Sequence, residues 1–186
     1  QVDTPDRIYH APDTVAVAEF IGSPRINLVD GTYDGRAVRT ESGSVPIELP
    51  VPAGQALRLG FRCESASLTA PGCGRLDGEV AHVENLGSDL LVHVRCAGSA
   101  TPVVVRMPAG SRPAVRGEHV GVDTGSTPLA FGPDGDRIGA PSPATAQAPR
   151  SAPGPARAST RTSPAAPAGA PSSAQPVATV SRHVRA

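Results

Sequence analysis

The sequence predicts a mainly β fold: a small closed or sandwich-like barrel entered through a short helical connector and followed by a disordered tail. Three observations carry this. Between residues 25 and 139, short apolar alternations recur with Gly, Pro, Ser and Asp between them, the pattern of many short strands joined by tight turns. Ahead of them, two brief apolar segments at helical spacing each follow a threonine. Beyond residue 139 the composition changes in kind.

In chain order, residues 1–24 read as the connector. Thr4 caps a helix with Pro5 at its first position, where the missing N–H costs nothing. Ile8 and Tyr9 give it an apolar face, and Pro12 interrupts it. Asp13 or Thr14 caps a second helix from Val15 to Phe20, with Val17, Phe20 and Ile21 at helical spacing, and Gly22-Ser23-Pro24 ends it.

Residues 25–139 then turn to β. Asn27-Leu28-Val29 is a short strand closed by an Asp30-Gly31 turn. Ala37–Thr40 and Val45–Leu49 alternate around Ser42-Gly43, and Leu57–Arg62 is another strand. Gly78–Glu84 and Leu90–Cys96, with a two-residue Ser88-Asp89 link, read as a hairpin. Val103–Val105, Glu118–Val122 and Leu129–Phe131 follow, and a Gly-Pro-Asp-Gly turn leads to Arg137-Ile138. Aromatics are few, so the core must be Val, Leu and Ile. Residues 140–186 hold nine prolines and almost no large apolar side chain, too little apolar surface to offset the entropy of ordering.

Charge excludes some functions. The net is zero, but residues 1–139 hold 12 Arg against 17 acids, while 140–186 hold five Arg and none. The barrel region is thus mildly acidic, and no nucleic-acid footprint is expected over it. The five aromatics, Tyr9, Phe20, Tyr33, Phe61 and Phe131, do not make a base-stacking platform. No apolar run is long enough for a membrane helix, and no signal peptide is legible.

Catalytic patterns are equally sparse. A P-loop needs a lysine to reach the β- and γ-phosphates, and the chain has none; its 17 basic residues are all arginine. No ATP hydrolysis and no cofactor are expected of this chain. Cys63, Cys73 and Cys96 form no C-x-x-C pair and read as small thiols of a reducing compartment. His82 and His93 would face each other across the hairpin, as a strand pair rather than a metal site. Arg62 and Glu64 are two apart, on one face of a strand, and read as an exposed ion pair.

Three segments, in order, carry a resemblance. They are Phe20-Ile21-Gly22-Ser23-Pro24 with Asn27, Gly60-Phe61-Arg62-Cys63-Glu64, and Val83-Glu84-Asn85-Leu86-Gly87. Gln1, Thr4, Pro5, Tyr9 and Pro12 precede them, and Phe131 to Gly135 follow. Together residues 1–139 resemble the C-terminal half of the ATP-binding subunit of bacterial ABC importers of the sugar and glycerol-phosphate class. Ile26 stands where that family has Met, Cys63 where it has Pro, and a late His is absent.

The resemblance implies a transport-associated OB barrel that serves regulation and dimerisation, without the nucleotide-binding domain. Residues 1–24 would be the end of that domain, and the chain a fragment or a broken gene product with a tail read in or out of frame. Phe20, Gly22, Pro24, Asn27, Gly60, Arg62 and Glu64 would be structural residues of the motifs. Glu84, Gly87 and Phe131 would offer a contact to a regulatory protein. The expected partners are a second copy of the ATP-binding subunit and, through the missing domain, the permease subunits. ATP and Mg²⁺ would belong to the full-length subunit, placed in the cytoplasm at the inner face of the plasma membrane. Val15, Val17, Phe20 and Ile21 would then face the missing domain. The alternative from the residues alone is a free-standing barrel that binds a small oxyanion.

Overall fold

The computed structural model describes residues 1–112, 114–126 and 128–139; the tail expected to be disordered lies outside the described residues. Two helices come first, α1 (Pro5–His10) and α2 (Val15–Phe20). The Thr4 and Thr14 hydroxyls accept from the amides of Arg7 and Val17, satisfying donors that a helix start leaves free. Each helix is six residues long, too short to persist without tertiary support. The support is a small cluster in which Val15 and Ala18 pack on Ile26 and Phe131.

Among the described residues ten strands follow, forming antiparallel ladders: β1 (Asn27–Tyr33), β2 (Ala37–Thr40), β3 (Gly43–Pro46), β4 (Ala56–Phe61), β5 (Ser67–Thr69), β6 (Leu76–Asn85), β7 (Asp89–Cys96), β8 (Val103–Pro108), β9 (His119–Asp123) and β10 (Leu129–Phe131). Their order is β10-β4-β1-β2-β3-β6-β7-β8, with β9 bridging β5 and β6. Strand β6 meets β3 at one pair, Gly43 with Leu76, and then β9 and β7 along its length. Alternate side chains point inward, among them Val29, Val38, Leu59, Leu76, Val92, Val94, Val105 and Val122, and fill the interior. This is the aliphatic core that the scarcity of aromatics demanded.

The seam between β1 and β8 is closed by a side chain. Asn27, 4% exposed, donates from Nδ2 to the Val104 carbonyl at 2.9 Å and accepts at Oδ1 from the Val104 amide at 2.8 Å. A primary amide presents the same donor and acceptor as a peptide unit. Asn27 thus bonds β8 as a ladder residue would, between two strands that no ladder pairs among the described residues. Beside it the Arg106 amide bonds the Cys63 carbonyl at 3.0 Å, extending the seam past the end of β4.

Four sequence readings are corrected here. Asp30-Gly31 is no turn, because β1 runs through it. A Cβ at Gly31 would lie 2.5 Å from Val38 Cγ1 and 2.7 Å from the Arg39 carbonyl oxygen, so the glycine lets β2 fold back closely over β1. Asp89 belongs to β7, and the hairpin link is Leu86-Gly87-Ser88, held by Asn85 Oδ1 on the Gly87 amide. Strand β3 ends at Pro46 rather than running to Leu49; the Leu49 amide instead donates to the Tyr33 hydroxyl. Strand β5 was not foreseen, since three residues are too few to show alternation.

Asn27→Leu should strand the buried amide and carbonyl of Val104 and cost about 2–3 kcal/mol, read as a lowered urea midpoint. Asn27→Asp sets a buried carboxylate oxygen against the Val104 carbonyl in place of a donor, and should cost at least as much as Asn27→Leu at neutral pH.

Candidate functional site

The most structured polar site joins the helices to the barrel, and Arg62 is its centre. The residue follows β4 and is 7% exposed. Its Nη1 donates to the carbonyls of Ala18 at 3.0 Å and Ile21 at 2.8 Å, and its Nη2 to the carbonyl of Tyr9 at 3.0 Å. The guanidinium carbon also lies 4.3 Å from the centroid of the Tyr9 ring, a cation–π distance. These carbonyls belong to the last turns of α1 and α2, where a helix leaves acceptors unpaired and its dipole favours a cation. One side chain therefore fastens both helices. Its Nε is buried without a hydrogen-bond partner among the described residues.

Glu64 completes the junction on the exposed side. The Tyr9 hydroxyl donates to its Oε1, and the Cys63 thiol donates to its Oε2 at 3.2 Å. Desolvation pushes the Glu64 carboxyl up, but the bonds from Tyr9, its own amide and Cys63, with the Arg62 charge, outweigh it and hold the group below its ordinary value. Desolvation first, and then the Glu64 carboxylate, push Tyr9 up to about 12. Burial, again aided by Glu64, pushes Cys63 up to about 11. All three protonation states therefore favour the same network at neutral pH: a carboxylate, a phenol and a thiol. A cleft of about 320 Å³ opens beside it, lined by Tyr9, His10, Phe61, Arg62, Glu64 and Leu129 among others.

Gly60 makes the junction close. A Cβ there would lie 2.8 Å from Phe131 Cε2 and 3.0 Å from Ile26 Cδ1. The absence of a side chain lets the Phe131 ring lie on β4 beneath α2. Gly22 and Pro24 shape the exit from α2, with a left-handed φ at Gly22 and a cis peptide before Pro24.

The expected ion pair on one strand face is therefore corrected. Arg62 points inward to backbone carbonyls, and Glu64 turns to Tyr9; the two lie beyond the end of β4. Phe131 is corrected too: at 0% exposed it is a core residue and offers no partner contact. Val15 is likewise buried against the barrel, whereas Phe20 on the same helix is 85% exposed. Tyr9, as acceptor, ring and donor in one, was missed. No local pattern marks a residue whose partners lie 53 and 55 positions away.

Glu84 and Gly87 sit elsewhere, near the tip of the β6–β7 hairpin. His82 and His93 are direct cross-strand partners. The Glu84 Oε1 lies 3.2 Å from His93 Nε2 and 3.8 Å from His82 Nε2. No group of three or more His, Cys, Asp or Glu among the described residues is arranged to hold a metal ion. Leu86 at the tip is exposed. No helix among the described residues is long and apolar enough to cross a membrane.

Comparison with known proteins agrees with the three motifs. Residues 56–126 match the TOBE domain family. The chain is 39% identical over 122 residues to the sn-glycerol-3-phosphate import ATP-binding protein UgpC of Paracoccus denitrificans, covering 64% of this chain and 33% of that protein. It is 40% identical over 98 residues to the protein of the same name from Yersinia pestis bv. Antiqua, and 36% over 118 residues to that of Chromobacterium violaceum. These cover 50% and 61% of this chain, and 27% and 31% of the relatives. The chain thus spans about a third of the length of the curated relatives it matches, and the similarity is to a TOBE region of an importer's ATP-binding subunit.

Two outcomes follow from the junction. Arg62→Ala should leave three carbonyls without their donor and cost about 3 kcal/mol, with fast amide exchange confined first to residues 5–21. Arg62→Lys should recover only part, since an ammonium lacks the planar fork. For Glu64 the folded-state value lies below the ordinary 4.5, so its contribution is complete above that pH and is lost as pH falls through the folded value. Melting temperatures of wild type and Glu64→Gln should differ at pH 7, and the difference should shrink as pH falls below 4.5 and through the folded-state value.

Proposed function

We propose that this chain is the regulatory and dimerisation segment of the ATP-binding subunit of a carbohydrate or glycerol-phosphate ABC importer, and that it does not hydrolyse ATP. The observation that carries the reading is the likeness to import ATP-binding proteins over 122 residues, on a sequence that has no lysine. The matched domain is the TOBE domain, and the P-loop chemistry of a compact ammonium on the β- and γ-phosphates has no residue to perform it here. ATP and Mg²⁺ belong, on this reading, to the rest of the subunit.

Its partners are then a second copy of the ATP-binding subunit and, through the ATP-binding module, the permease subunits at the cytoplasmic face of the membrane. The β6–β7 hairpin, with Glu84 and Gly87 near its tip and Leu86 exposed there, is the region suited to a regulatory protein. A protruding tip with one uncovered apolar side chain offers contact without unfolding the barrel.

The full chain at micromolar concentration should turn over no ATP and should sediment as a monomer. Barrel-to-barrel contact without the linked modules lacks the effective concentration that tethering provides, which reaches the millimolar range. Measurable hydrolysis defeats the reading. So does micromolar binding of molybdate or phosphate in a calorimeter, which would favour a free-standing oxyanion-binding barrel.

A further inference from the structure

Two segments outside the ladders wall a cleft on the barrel. One follows β3, where the Ile47 amide bonds the Arg36 carbonyl at 3.1 Å and the Leu49 amide the Tyr33 hydroxyl. The other turns back after β10, where the Ile138 amide bonds the Ala130 carbonyl and the Arg137 amide the Asp13 carbonyl, each at 2.8 Å. The cleft measures about 390 Å³, and Ile47, Glu48, Leu49, Leu129, Arg137 and Ile138 are among its lining. That is the small end of the range of ligand clefts. Ile47, Leu49 and Ile138 also pack on the barrel core, and Leu129 on the cluster of Val15, Ala18, Ile26 and Phe131. The apolar walls are therefore anchored from behind.

Arg137 is enclosed there without acceptors. Its side chain is 15% exposed, yet none of its five side-chain N–H groups is hydrogen-bonded among the described residues, and Nε is fully buried in that state. The one carboxylate within reach among those residues is Asp13, with Oδ1 at 4.0 Å from Nη2, beyond hydrogen-bond distance. Arg62, comparably enclosed, meets three carbonyls. A guanidinium taken from water without acceptors costs stability, and nothing in the described fold recovers that cost at Arg137. Glu48 is exposed in the same cleft. It pairs neither with Arg137 nor with any other cation among the described residues.

We propose that this cleft binds a small zwitterion, an α-amino acid with an aliphatic side chain. Its carboxylate sits on the Arg137 guanidinium, its ammonium on the Glu48 carboxylate, and its side chain on Ile47, Leu49, Leu129 and Ile138. The inference goes beyond the reading under Proposed function and does not rest on it. A carboxylate is the planar acceptor that suits the guanidinium fork. Glu48 and the aliphatic walls separate this ligand from an inorganic oxyanion, which the carboxylate repels and the walls do not hold. Occupancy also reaches the helices. The Gly135 carbonyl bonds the Val15 amide, and Thr14 and Asp136 form a β-bridge. A ligand that fixes Arg137 therefore steadies the start of α2.

The test melts the full chain with leucine, isoleucine, valine or methionine, each up to about 20 mM, and titrates the best of them in a calorimeter. At tenfold its dissociation constant that amino acid should raise the melting temperature by about 4 °C. Its N-acetyl derivative lacks the ammonium and its amide lacks the carboxylate, and each should bind about tenfold more weakly or worse. Arg137→Met and Glu48→Gln should each abolish the shift. Without ligand, Arg137→Met should melt no lower than wild type, because it removes an enclosed cation that has no acceptor. A fall of about 3 °C or more makes Arg137 a structural residue and overturns the proposal. No shift with any of the four amino acids overturns it, as does a shift that Glu48→Gln leaves intact. Inorganic phosphate that binds at micromolar concentration and is lost in Arg137→Met, with the amino acids inert, gives the cleft to an oxyanion. That result sinks both this proposal and the transporter reading, whereas amino-acid binding with ATP turnover by the same chain sinks the transporter reading alone.

Discussion

Arg62 supports two helices that would not hold by themselves. Six-residue helices are far below the length at which backbone hydrogen bonding outweighs nucleation, and their terminal carbonyls are where they come apart. The guanidinium places two Nη groups on three of those carbonyls and its flat face on Tyr9. Burying a cation is costly unless it is well bonded. Here the cost is offset by acceptors already in deficit, at the negative ends of two helix dipoles. Removing the arginine takes the donor from both helix ends and leaves α2 held by its packing on Ile26 and Phe131 and by the Val15 amide on the Gly135 carbonyl, while the barrel keeps its own ladders and core.

The barrel depends on a second polar device. The ladder path runs from β10 to β8 and does not pair β8 with β1 among the described residues, so a side chain must join them. Asn27 does so by bonding both polar groups of Val104, and the Arg106 amide on the Cys63 carbonyl continues the closure. Seam and junction touch: Cys63 lies between Arg62 and Glu64, its carbonyl serving the seam and its thiol the Glu64 carboxylate. The helix attachment and the barrel closure are thus set by adjacent residues of one short segment.

The hairpin tip with Glu84 lies on β6 and β7, whereas the helix pair rests on β4 and β10. The aliphatic core between them is packed from fully buried valines and leucines, and such cores transmit displacement rather than absorb it. The two surfaces are therefore connected through rigid elements.

Much of this fold was legible in the sequence because it is written locally. Thr4-Pro5 and Thr14 announce helix starts by the chemistry of a cap, and alternation in the Gly78–Glu84 and Leu90–Cys96 segments announces strands by a period of two. The motif residues Asn27, Gly60, Arg62 and Glu64 were legible as a set through resemblance, but not in their roles. Those roles are relations between distant segments: the amide of Asn27 with Val104, 77 positions on, the Gly60 gap with Phe131, and the guanidinium of Arg62 with Tyr9, Ala18 and Ile21. Arg62 reads as half of an exposed ion pair because Glu64 stands two positions on, and Phe131 reads as a contact residue through the resemblance alone. Only tertiary packing decided that both turn inward. A side chain's fate depends on which unsatisfied carbonyls and which apolar gaps the fold brings beside it, and a linear sequence fixes the local elements without showing which of those distant groups will meet.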